Sequence, residues 1–293
     1  MQDAAIVTPE NATMTLAPEK TWSVPQQLFA SMPWYDLPEI REATDAFWTA
    51  LRTKLAERGI EDLPQRLDRD VPYGVDWNSK CLFTQTCGYP IFTTARTQFH
   101  VLGIPCYTAP GCDGRLHRSF IVVRASSNAR DIESLRGGTF AINEPDSNSG
   151  MNLPRRLFAS YHRDGRFFEE RVVSGSHAAS IELVAAGQVD AAAVDCVTYA
   201  LLQRYRPDAV AETRVIAETP ASPAPPFATS ARIDASIFRI LRQTLTSVIH
   251  DPQGREICEP LMLGAVELAD ESAYAVVLEY EREAELIGYP ALL

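Results

Sequence analysis

The chain has 293 residues, 46% hydrophobic and 22% charged, with a formal charge of −11 from 38 acidic against 27 basic side chains. That composition suits a folded protein with room for two modest domains or one large one. No window approaches 18 uninterrupted apolar residues, which excludes a membrane-spanning helix. The acidic balance argues against nucleic acid and anionic membrane as partners, since both want a basic surface.

Residues 1–20 show neither the basic n-region nor the apolar h-region of a secretory leader, which leaves periplasm and cytoplasm both open. The same segment is polar and contains proline, so it reads as a disordered tail. A short apolar stretch at 27–30 breaks at Met32-Pro33-Trp34-Tyr35-Asp36. Helical spacing of Ile40, Ala43, Phe47, Leu51 and Leu55 predicts a helix over 37–58, stopped by Gly59. Strands are predicted at 80–86, 99–107, 119–123 and 139–143, with a helical turn at 131–135. The polar loop Asp146-Ser147-Asn148-Ser149-Gly150 precedes a helix to about 161. Strand, loop and helix then recur at 171–173, 174–177 and 178–186, and strand 189–194 leads to a helix ending near 205. A strand at 214–217, a Pro-rich crossing at 220–226 and helices at 235–249 and 271–287 complete the chain.

Strands and helices that alternate at short spacing predict an α/β protein with mostly parallel sheets flanked by helices. Composition shifts at 115–123 and 220–227 mark two crossings, hence two lobes with a cleft between them. Residues 21–119 and 224–293 would form a discontinuous first lobe, and 120–223 the second. Six cysteines lack any C-x-x-C pair or zinc spacing, so neither a metal nor a cofactor is expected. Cys81 and Cys106 read as buried thiols, while a Cys87–Cys112 disulfide stays open.

In an open α/β sheet, ligands bind beyond the carboxyl ends of the strands. Three loops occupy that position, carrying Ser147, Asn148 and Ser149, then Ser174, Ser176 and His177, then Asp195 and Thr198. Hydroxyls and unpaired N–H groups at a helix start suit a tetrahedral anion, because dipole and donors point the same way. Helix capping alone also places Ser, Asn and Asp there, so both readings stand.

The runs Leu135–Gly150, Ser174–Ile181, Gly187–Ala200 and Pro225–Ser230, in that order, resemble the periplasmic phosphate/phosphonate-binding proteins of ABC importers. Met32–Asp36 and Gln85–Pro90 resemble that family more loosely, and the likeness spans roughly residues 25–260. It implies a type II periplasmic-binding fold that closes on a small oxyanion and hands it to ABC permease subunits, as a monomer and without catalysis. It also implies ligand contacts from Ser147, Asn148, Ser149, His177, Asp195, Tyr35 and Tyr89. Position 148 departs from the family's usual Thr, although Asn can donate two N–H bonds. Asp195 would face a cationic or hydroxyl part of the ligand, or His177. Trp34 and Tyr107 are expected in the core or at the rim. Two alternatives remain: a cytoplasmic sensor of the same fold, or an enzyme using His177, with Ser147 or Ser176 and Asp195 in a hydrolase triad or with a bound pyrimidine precursor.

Overall fold

The helix Arg41–Glu57 buries Phe47, Trp48, Leu51 and Leu55 along one face. That face lies on rings from two strands, with Phe47 stacked on Phe227 at 5.9 Å and Trp48 on Phe83 at 5.8 Å. Burying a ring of this size is worth roughly 2–3 kcal/mol, so these contacts anchor the helix to the sheet. Gly59, at φ 81°, ends the helix in a left-handed turn that a side chain would disfavour. The structure, a computed structural model, describes residues 22–23, 28–70, 77–93 and 98–293. The tail expected over 1–20 lies outside the described residues. No helix among them is long and apolar enough to cross a membrane.

Two five-stranded sheets organise the chain. The first runs in the order Leu263–Glu267, Phe99–Tyr107, Phe227–Ser230, Cys81–Gln85, Phe29–Ser31, and the second in the order Thr213–Glu218, Ser119–Arg124, Ala191–Asp195, Thr139–Ile142, Glu170–Val173. Four of five strands in the second sheet and three of five in the first point the same way. The exceptions are Ser119–Arg124, Phe227–Ser230 and Leu263–Glu267. The first two of these follow a crossing and enter their sheet from the opposite side, so the pairings are mixed even though most strand directions agree. Ala191–Asp195 is buried along its length, and its small side chains let neighbouring elements approach both faces.

The crossings meet in a short antiparallel ladder, with Leu116–His117 against Ser222–Pro223 and His117 opposite Ser222. The C-terminal helix Ala275–Leu286 touches both lobes, with the Tyr89 hydroxyl of the first donating to its Glu281. Asn152 Nδ2 donates to the Val277 carbonyl at 3.0 Å, Arg155 Nη1 to that of Pro290 at 3.0 Å, and the Phe167 N–H to that of Leu293 at 2.6 Å. The end of the chain is thus bonded to the second lobe as well as to the first.

The cysteines are free thiols. Cys112 lies 3.5 Å from Cys196, sulfur to sulfur, rather than beside Cys87, whose sulfur accepts the Asn148 N–H at 3.4 Å. Cys81 is buried, whereas Cys106 is partly exposed.

Candidate ligand-binding site

The loop after Thr139–Ile142 is shaped by its own hydrogen bonds. Ser147 has extended backbone, and its hydroxyl oxygen accepts the Gly150 N–H at 2.9 Å, which starts the turn Asn148–Asn152. The turn is widened by one residue, since the Asn152 N–H reaches back to the Ser147 carbonyl at 3.0 Å. Gly150 permits a close approach, because a Cβ there would stand 1.7 Å from Asn143 Oδ1. The Asn148 side chain is committed within the protein: Nδ2 donates to Ser222 Oγ at 2.9 Å, and Oδ1 accepts from Asn152 Nδ2 at 3.1 Å. The expected pair of ligand-facing amide donors at 148 is therefore half spent on tying the loop to the crossing.

His177 opens the helix His177–Ala185, capped by Ser176. Its Nδ1 lies 3.2 Å from the Ala193 carbonyl, so Nδ1 carries a proton, and Nε2 lies 2.9 Å from Ser149 Oγ. Burial lowers the His177 pKa below the usual imidazole range, against an opposing pull from the Asp195 charge. In the neutral ring, Nε2 accepts the Ser149 hydroxyl hydrogen.

Asp195 ends its strand buried and fully engaged. Oδ1 accepts the N–H groups of Val197 and Thr198 at 2.9 Å each, capping the helix Cys196–Tyr205. Oδ2 accepts from His117 Nδ1 at 2.6 Å and from the Tyr35 hydroxyl at 3.0 Å. Burial would raise its pKa, but the charge and hydrogen bond of His117, with help from His177 and the Thr198 N–H, bring it below the ordinary carboxylate value. The Tyr35 phenol is pushed up by burial and by Asp195, so it remains a donor. Tyr35 sits at φ 61°, a left-handed conformation that aromatic residues rarely adopt, and packs edge-on against Tyr107 at 5.2 Å. The bond from Tyr35 to Asp195 joins the two lobes.

These groups line one cavity of about 580 Å³ between the lobes. Of the residues expected from sequence, Tyr35, Ser147, Asn148, Ser149, His177 and Asp195 line it, and Tyr89 does not. Tyr89 lies in the short helix Gly88–Phe92, where Gly88 and Pro90 face the cavity while its hydroxyl donates to Glu281. Burial, then the Glu281 bond, pushes the Tyr89 phenol up to about 12. The proposed triad does not assemble, because Asp195 is held by His117 and Tyr35 while His177 Nδ1 faces a backbone carbonyl. Asp195 likewise bonds to His117, not to His177.

Sequence reasoning missed His117 as a lining residue; Trp34, expected in the core or at the rim, and Cys87 line the cavity too. His117 falls within the segment marked as a crossing, and a polar ring where two lobes meet was the available signal. The lining includes the carboxylates Asp36, Glu144, Asp146 and Asp195 and, among the described residues, no Lys or Arg. Asp36 is paired with Arg69 at 2.6 Å. A bound anion would rely on hydroxyls, backbone N–H groups and an imidazole rather than on a fixed cation.

The family model for the phosphonate ABC transporter periplasmic substrate-binding protein matches residues 96–274. No curated protein matches the sequence. Among solved structures, a binding protein component of an ABC phosphonate transporter from Pseudomonas aeruginosa aligns with a TM-score of 0.70 at 15% identity, covering 89% of this chain and 87% of its own. A Prochlorococcus marinus protein in complex with methylphosphonate gives 0.67 at 16% identity, covering 88% of this chain and 98% of that one. A Xanthomonas citri protein bound to ATP gives 0.65 at 16% identity, covering 89% and 98%. At such identities the likeness establishes the fold, that of type II periplasmic-binding proteins. The matched family binds solutes for transport and is not a family of enzymes. The chain belongs to the family of periplasmic substrate-binding proteins of phosphonate ABC transporters.

Proposed function

We propose that this chain captures a small oxyanion, a phosphonate or phosphate-like group, in the cavity between its lobes and delivers it as a monomer to ABC permease subunits in the periplasm. The lobes would be residues 21–119 with 224 to about 274, and 120–223 with the C-terminal helix added, pivoting at the Leu116–His117 and Ser222–Pro223 ladder. The observation that carries this reading is the convergence of Ser147, Ser149 and His177 at a helix start lining a cavity free of Lys and Arg among the described residues. An anion placed there meets the Ser147 and Ser149 hydroxyls at the positive end of the turn.

A bound anion would favour uptake of a proton by His177. Nε2–H then donates to Ser149 Oγ, and the Ser149 hydroxyl hydrogen turns toward the ligand in a charge-assisted bond. Because burial lowers the pKa of His177 in the free protein, affinity rises as pH falls toward that value. Calorimetry in buffers of differing ionisation enthalpy should read proton uptake on binding.

The test of the site is a thermal-shift panel of phosphate, phosphite, methylphosphonate, aminoethylphosphonate and sulfate. Ligand at about a thousand times its dissociation constant adds roughly 4 kcal/mol to stability, a rise of several degrees in Tm for a chain of this size. We expect that rise with a phosphonate, and its loss in Ser149→Ala and His177→Ala. A panel in which no oxyanion shifts Tm, on protein stripped of bound solute by unfolding and refolding, overturns the proposal.

A further inference from the structure

The cavity is large for a bare oxyanion. Its two walls touch through Tyr35 to Asp195 at 3.0 Å and through the Asn148 N–H to Cys87 at 3.4 Å, and its volume is still about 580 Å³. At about 30 Å³ per water molecule, such a space holds on the order of twenty waters. A phosphonate head bearing a single carbon, seated at Ser147–Ser149, would leave most of it wet.

Outside the loop, the wall carries an apolar surface that comes from both sides of the cleft, beside the polar and acidic groups already named. Trp34 and Leu37 are contributed by the segment after the first strand, Leu201 by the helix Cys196–Tyr205, and Pro90, Pro223 and Pro225 by the short helix and the crossing. A pocket of this size, lined by apolar groups with a few convergent polar ones, is the kind that buries a drug-sized molecule. Charge limits the choice further. Glu144 and Asp146 are exposed where they line the cavity, and no Lys or Arg lines it among the described residues. A second phosphate would therefore meet carboxylates instead of cations.

We propose that the ligand is an organophosphonate with one anionic head and a ring-sized apolar substituent, the head on Ser147, Ser149 and His177 and the substituent against Trp34, Leu37 and Leu201. This rests on the oxyanion reading above and adds the class of organic group. Burying that group removes apolar surface from water on both partners, and this sets the preference over methylphosphonate.

Titration calorimetry with phenylphosphonate, methylphosphonate and methylenediphosphonate tests it on the wild-type protein. We expect phenylphosphonate to bind at least ten-fold more tightly than methylphosphonate, with methylenediphosphonate weaker than phenylphosphonate. In Trp34→Ala, and separately in Leu37→Ser, the ratio of the first two affinities should fall toward one. Methylphosphonate binding as tightly as phenylphosphonate, or methylenediphosphonate binding most tightly, overturns the inference while leaving the oxyanion site intact. Absence of binding by all three overturns the inference, and the oxyanion reading falls with it when phosphate, phosphite and sulfate also leave Tm unmoved.

Discussion

The two walls of the cleft are built to different standards. On the second lobe, Ser147, Asn148, Ser149, Gly150 and His177 are each fixed by a bond or a close contact, and Asn148 and Asn152 continue that network to the crossing and the C-terminal helix. On the first lobe, Tyr35 reaches across from a left-handed backbone and is held by one side-chain hydrogen bond and one ring contact. On the proposed reading, the anchored wall is the anion site, and being pre-formed it would lose little order when ligand arrives. The other can let go at modest cost, as a closing jaw must.

The sharpest way to break that contrast is Asp195→Ala, which acts on both walls. It leaves the Tyr35 hydroxyl, His117 Nδ1 and two helix N–H groups without their acceptor, and should cost about 3 kcal/mol, read from the midpoint of urea unfolding. Gly150→Ala tests the anchored wall alone. Its Cβ meets Asn143, and overpacking of this kind costs roughly 1–3 kcal/mol, with ligand affinity falling in parallel. Tyr35→Phe tests the jaw alone and should have the smallest effect, about 1 kcal/mol. Small-angle scattering of the ligand-free variant should show a larger radius of gyration than the wild type. If Tyr35→Phe were as damaging as Gly150→Ala, the two walls would not differ as described.

Much of this architecture was legible in the residues. The strand Phe99–Tyr107 and the helix Arg41–Glu57 follow apolar runs with clear period and strong stops. The strands Phe227–Ser230 and Leu263–Glu267 were not, because they are four and five residues long and their neighbours lie far off in sequence. The loop Ser147–Gly150 was readable as a polar helix start, since serines, an asparagine and a glycine there suit capping and anion binding alike. Tyr89 was misplaced because spacing does not say which side of a one-turn helix meets the cleft, and Gly88 and Pro90 took that side. His117 and the meeting of Cys112 with Cys196 depend on the crossing, where residues about eighty apart in sequence become neighbours. No local pattern encodes such a pairing.

The position of Phe227–Ser230 between Cys81–Gln85 and Phe99–Tyr107 governs the order of assembly during synthesis. Every strand of the second sheet lies within residues 119–218, so that sheet can form as soon as those residues leave the ribosome. The first sheet must wait, its two earlier strands held apart until their central partner is made. The half of the cleft that carries the Ser147–Gly150 loop can therefore have its sheet complete before the half that faces it.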